Sequence, residues 1–239
     1  MKPLLVLAAF PMVLMGWASC SHSGTGHAAL PDPRAVDKSV PEYKNPFHPS
    51  TYAHFVARKD YRKTYDVYKD DTLLNRQPKK SRKIFVCLDE QRGQYLVDGL
   101  VAMDFPLSSG VKAYPTKTGD YAVISKKEDH TSNLYGKMYD AEGKCINYNA
   151  ESTDPIPEGG RFDGSPMPYW QRLTNAGLGL HAGKVRRHPV SHGCVRLPRN
   201  VAEILYRQTS IGTPVTIQKT PLPVPEIQKV PAGQQHKGV

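Results

Sequence analysis

The chain has 239 residues, a formal net charge of +10 (Lys+Arg 32, Asp+Glu 22) and 39% hydrophobic residues, enough for one catalytic domain with extensions and a real core. The positive excess favours polyanionic surroundings, or serves plain solubility. With no zinc-finger or aromatic RNA-binding signature, and with an export signal at its start, the chain is read as having no nucleic-acid partner. An anionic envelope or wall polymer fits better.

Residues 1–20 form the first element. Met1-Lys2-Pro3 followed by the apolar run Leu4 to Leu14 has the basic start and short hydrophobic region of a secretory signal, too short for a membrane span. Removing it, with its one lysine, leaves +9. Trp17-Ala18-Ser19-Cys20 resembles a bacterial lipoprotein cleavage site, departing from it at Trp17. A lipid on Cys20 would make the membrane a partner; the alternative is a cleaved, soluble periplasmic protein. Either way the expected location is the periplasm or cell envelope.

Residues 21–82 are a linker and a Tyr-rich extension. Up to about residue 50 the composition is Gly, Pro, Ser and His without apolar periodicity. From Tyr52 to Leu74, Tyr52, Phe55, Tyr61, Tyr65 and Tyr68 mix with charges, predicting a helical appendage packed on the domain. The domain itself, 83–219, is β-rich. Ile84 to Leu88, then Glu90-Gln91-Arg92-Gly93, then Gln94 to Val97 read as a hairpin. Further strands are predicted at Val101 to Leu107, Asp120 to Ser125, Leu178 to His181 and Pro214 to Gln218. One helix is marked by Asn200 as cap, Glu203 at capping-box spacing, a stripe of Val201, Ile204 and Leu205, and Gly212 as stop. The Pro-rich tail, 220–239, lacks the apolar content to fold alone.

Of the four cysteines, Cys87 and Cys145 could pair in an oxidising compartment, or Cys87 could be a buried free thiol in its strand. Cys194 is the candidate nucleophile. It lies in Ser191-His192-Gly193-Cys194-Val195-Arg196-Leu197-Pro198, downstream of Gly179-Leu180-His181-Ala182-Gly183. Cysteine attacks as the thiolate, and a positioned imidazole generates one near neutral pH. A zinc site built from His181, His188, His192 and Cys194 fits no common structural zinc spacing, so the metal assignment is none. A papain-like arrangement is disfavoured, because there the cysteine precedes its histidine.

Together with Phe105-Pro106-Leu107-Ser108-Ser109-Gly110 and Tyr114-Pro115-Thr116-Lys117-Thr118-Gly119-Asp120-Tyr121, these segments resemble, in content and order, the L,D-transpeptidase catalytic domain of the YkuD type. The resemblance runs from Ile84 to Lys219. It implies a mainly β, sandwich-like domain with a short helix after the active-site loop, and no cofactor. The implied partners are peptidoglycan stem peptides. The implied reaction is 3-to-3 cross-linking, or attachment of protein to the wall, through a cysteine acyl-enzyme that carbapenems would acylate. Cys194 then matches the nucleophile and His181 the proton donor and acceptor. The backbone of Gly193 matches the oxyanion hole, and the Ala182 carbonyl the group that orients His181.

Arg196 matches the motif arginine, clamping a stem carboxylate or holding the loop. Ser191 and His192 are read as loop-supporting residues beside the substrate, and Tyr169 and Trp170 as lining the donor groove or filling core. His181 and Cys194 are only 13 positions apart, similar to a compact His-Ala-Gly subfamily with a Met167-Pro168-Tyr169-Trp170 type of start. The alternatives are an L,D-carboxypeptidase or amide hydrolase on the same site, and a noncatalytic wall-binding lipoprotein.

Overall fold

The computed structural model describes residues 32–78 and 81–222. Cys20, Lys79-Lys80 of the basic cluster and the tail after Leu222 lie outside the described residues. A short helix α1 (Tyr52–Ala57) is capped by Thr51, whose side chain accepts from the His54 N–H. Strand β1 (Tyr68–Lys69) leads to helix α2 (Asp71–Asn75), capped by Asp70. Then follow β2 (Arg82–Cys87), β3 (Arg92–Val97), β4 (Leu100–Pro106), β5 (Gly119–Ala122), β6 (Ser125–Lys127), β7 (Thr131–Tyr139), β8 (Cys145–Glu151) and β9 (Arg161–Pro166). The chain closes with β10 (Trp170–Arg172), β11 (Gly179–Ala182), β12 (Val195–Leu197), α3 (Arg199–Gln208) and β13 (Pro214–Gln218).

Three sheets result: β1-β4-β3-β2-β13-β5, β12-β11-β10-β6 and β8-β7-β9. The predicted hairpin is there, Arg82 opposite Val97 and Cys87 opposite Arg92. One core lies between the first two sheets. Ile84, Val86, Tyr95, Met103, Phe105, Val215 and Ile217 come from one side, Leu180, Val195 and Leu197 from the other, with Val201 and Leu205 of α3 packed in. Burying each such side chain contributes about 1.5–3 kcal/mol.

The helix differs from its prediction at both ends. It begins at Arg199 after Pro198, whose fixed φ and missing N–H suit a helix start, and Asn200 lies inside the first turn without capping. It stops at Thr209, whose N–H and hydroxyl both bond the Leu205 carbonyl; Gly212 sits beyond, in the turn before β13. The sheet β7-β8-β9 was not anticipated at all. Both Cys87 and Cys145 are free thiols. Cys87 is buried with its Sγ 3.3 Å from the Lys219 carbonyl, and Cys145 Sγ lies 3.7 Å from the Asn147 carbonyl.

The extension docks through a buried polar knot. Asp104, fully buried, accepts from Arg92 Nε at 2.6 Å and from the hydroxyls of Tyr52 and Tyr61 at 2.7 Å each. Tyr52, Phe55, Val56 and Tyr61 pack with Leu96 and Val101 around it. The knot reaches the active-site loop. Arg92 and Arg187 both donate to the Thr64 carbonyl, Arg187 also donates to the Glu90 carbonyl, and the Tyr65 hydroxyl donates to the Arg186 carbonyl.

Candidate active site

Strands β11 and β12 run parallel, with Leu180 opposite Val195 and His181 opposite Arg196. Successive side chains of a strand point to opposite faces. Leu180, Val195 and Leu197 face the core, so His181 and Arg196 face away from it, and Cys194, one residue before β12, joins them by the same alternation. All three line a cavity of about 630 Å³, whose opposite wall is formed by β7, β8 and β9.

His181 is 6% exposed, and its Nδ1 lies 2.9 Å from the Ala182 carbonyl oxygen. A carbonyl only accepts, so Nδ1 carries the hydrogen and Nε2 is left as the basic nitrogen. Burial pushes the imidazole down to about 4. The Ala182 bond opposes this, while the positive charges of Arg196 and His130 add to it. Cys194 Sγ lies 3.3 Å from the Gly177 carbonyl. Burial raises its thiol above the ordinary value, against the pull of the Gly179 N–H, Arg196 and Arg172. The resting pair at neutral pH is therefore a neutral thiol with a neutral imidazole.

The loop before the cysteine is held from within and from below. The Ser191 hydroxyl donates to the Cys194 carbonyl at 2.5 Å and accepts from the Gly193 N–H at 3.2 Å. Gly193 has φ +112°, a conformation open to glycine and costly for other residues. Its carbonyl accepts from the Thr116 hydroxyl at 2.6 Å, and Thr116 Oγ1 accepts from the Gly110 N–H at 2.8 Å. Gly110 lies so close beneath that an added Cβ would stand 2.8 Å from Gly193 Cα. Ser191 is thus a loop brace, 2% exposed.

His192 stacks on Tyr135 of β7, centroids 4.3 Å apart at 16°, and leans on Tyr114 at 4.8 Å. The stem of Arg196 lies along Gly183, where an added Cβ would meet its Cγ and Cδ at 3.1 Å, and its guanidinium makes no hydrogen bond among the described residues. Trp170 lines the cavity while 2% exposed, its ring tilted 30° to that of His130 with centroids 5.0 Å apart. Tyr169 follows the second of its two readings and packs on the core. With φ +57° it turns toward α3, its ring 5.8 Å from that of Tyr206 and covered by Arg199, and it is not among the cavity-lining residues.

Sequence reasoning missed His130, Tyr135, Tyr148 and Arg172, all lining the cavity. Gly110, Thr116 and Lys117 lie inside motifs already singled out, which carried the signal for them.

Residues 81–217 match the family model of the YkuD L,D-transpeptidase catalytic domain. The chain belongs to this family. Among curated relatives, the probable L,D-transpeptidase 3 of Mycobacterium tuberculosis is 31% identical over 121 residues, covering 48% of this chain and 38% of that protein. The chain thus spans well under half the length of that relative. Similar solved structures include an L,D-transpeptidase from Mycobacterium smegmatis, 22% identical with TM-score 0.45 over 58% of each chain. The M. tuberculosis L,D-transpeptidase 3 bearing a faropenem-derived adduct is 23% identical with TM-score 0.44, over 58% of this chain and 60% of that one. The family's domain covers the frame and the cavity, and leaves the extension with its Asp104-linked tyrosines outside. No helix among the described residues is long and apolar enough to cross a membrane.

Proposed function

We propose that this chain is an exported peptidoglycan L,D-transpeptidase that forms 3-to-3 cross-links through an acyl-enzyme on Cys194. The observation that carries the reading is the His181 tautomer. The Ala182 carbonyl holds the Nδ1 hydrogen, so Nε2 is the base on the face shared with Cys194. No carboxylate is required to orient the ring.

In the proposed sequence the Cys194 thiol passes its proton to His181 Nε2 as sulfur attacks the carbonyl of the third stem residue. The C–N bond to the terminal D-alanine breaks, and the imidazolium returns the proton to the departing amine, leaving a thioester. The acceptor amine then attacks the thioester, gives a proton to His181, and the thiol is restored. With thiol and imidazole both neutral at rest, the sulfur becomes nucleophilic only as its proton passes to His181.

The oxyanion would be met by the backbone N–H groups of Cys194 and Gly193, each such donor contributing about 3 kcal/mol in hydrolases. The Gly193 N–H rests on the Ser191 hydroxyl at 3.2 Å and must exchange that long contact for the oxyanion. Arg196, with its unbonded guanidinium on the cavity wall, would hold a stem carboxylate.

Incubation of the protein with tetrapeptide muropeptides, followed by mass spectrometry, tests the proposal. Cross-linked dimer with loss of D-alanine is expected. Tripeptide alone would turn the reading to an L,D-carboxypeptidase, and binding without turnover to a wall-binding protein.

A further inference from the structure

The cavity wall is one-signed. Lys117, Arg172, Lys184 and Arg196 line it, and no Asp or Glu does. None of the four is in an ion pair among the described residues. Glu151, a carboxylate close enough to act on His192, is taken by the Tyr114 hydroxyl at 3.3 Å and stands outside the lining.

The two arginines line the same cavity as Cys194, and both act electrostatically on it. Arg172 has one long contact, 3.5 Å to the Asn175 carbonyl, and its guanidinium lies over the Trp170 ring at 5.9 Å. The lysines are exposed. Such a wall creates a positive potential that a partly enclosed, low-dielectric cleft strengthens. Charges left without protein partners at a binding wall are satisfied by the ligand, and a guanidinium does this best with a carboxylate.

We infer that the cavity selects donor stems rich in free carboxylates, with a dicarboxylic diamino acid at the third position and the carboxyls of the second and third residues unamidated. This rests on the transpeptidase reading and deepens it. A tetrapeptide of that kind presents three carboxylates, the third on the terminal D-alanine, to four cations. Amidation of two of them leaves cations of the wall desolvated and unpaired, a penalty that acts against the amidated stem and so yields discrimination rather than affinity alone. A lysine-type stem, lacking the second carboxyl of the diamino acid, falls between the two.

The test compares wild-type kcat/KM for two synthetic tetrapeptide donors that differ only in amidation of those two carboxyls. A preference of about tenfold or more for the free acid, equivalent to one retained charge-assisted contact, is expected. It should shrink as salt is raised, and it should narrow in Arg172→Gln and Lys184→Gln through a rise in KM for the acidic donor. Equal kcat/KM for the two donors, or a preference for the amide, overturns the inference. Binding of the same pair to Cys194→Ala, followed by calorimetry, separates this from failure of the transpeptidase reading. An enzyme inert toward both donors that still binds the free acid about tenfold tighter sinks the reaction but keeps the selectivity. Equal binding sinks the selectivity whatever the reaction.

Discussion

The six-stranded sheet and the sheet β7-β8-β9 face the problem of burial in opposite ways. Strand β3 is buried along its whole length and β4 along all but its first residue, while β13 alternates into the shared apolar core. Strand β8, by contrast, exposes Ile146 at 47% and Tyr148 at 68%, and the pairing of β7 with both neighbours shifts register. The first sheet packs its side chains into the core, whereas in the second the strands approach closely at Gly136 opposite Gly164. The site lies between the four-stranded sheet, whose other face shares the core with the six-stranded one, and β7-β8-β9, which forms its far wall.

The comparison breaks most visibly if the frame is damaged. Asp104→Ala leaves the buried Arg92 charge and two tyrosine hydroxyls without their shared acceptor. A loss of about 3–5 kcal/mol in chemical denaturation is expected. A loss under about 1 kcal/mol would show that the knot is not structural.

Acid should expose the cost of the buried imidazole. The folded-state value of His181, about 4, lies below the unfolded value of 6.5. Above the unfolded value both states are unprotonated and stability is intact. As pH falls through 6.5 toward 4 the unfolded chain takes a proton that native His181 refuses, and stability drops. The difference corresponds to about 3 kcal/mol. His181→Gln should lose correspondingly less stability between pH 7.5 and 4.5 than the wild type, measured by urea melts at each pH.

On the other sheet the same kind of change should separate binding from stability. Tyr135→Ala removes the ring under His192 at a wall position. KM should rise about fivefold, from loss of roughly 1 kcal/mol of aromatic contact, while the melting temperature stays within about 3 °C. A large melting shift with unchanged KM would make β7 part of the frame. Smallest of all, Glu203→Gln breaks an exposed i,i+4 pair with Arg207 on α3 and should cost no more than about 0.5 kcal/mol.

The same contrast governs what was legible beforehand. Ile84-Phe85-Val86-Cys87 and Gln94 to Val97 announced their hairpin because apolar β-branched and aromatic runs are bounded by a charged turn. Thr131 to Tyr139 carries two serine or threonine residues, an asparagine, a glycine and a lysine, so its strand rests on pairing with β8 and β9 and leaves little apolar pattern to read. Cys194 and His181 were readable from local motif chemistry. Of the two readings left open for Tyr169, groove lining or core, the structure packs it on the core beside α3, with a left-handed backbone that the sequence does not announce. The start of α3 was misread because Asn200 looked like a cap, whereas Pro198 had already set the helical entry.

In the proposed reaction a thioester forms on Cys194 sulfur as His181 Nε2 draws off its proton. The most direct measurement is intact-protein and peptide mass spectrometry after rapid mixing with an acidic tetrapeptide donor in the absence of acceptor. The account predicts an adduct equal to the stem less D-alanine, confined to Cys194, forming far more slowly in His181→Ala and absent in Cys194→Ala. Turnover by Cys194→Ala, or an adduct on any other residue, would contradict it.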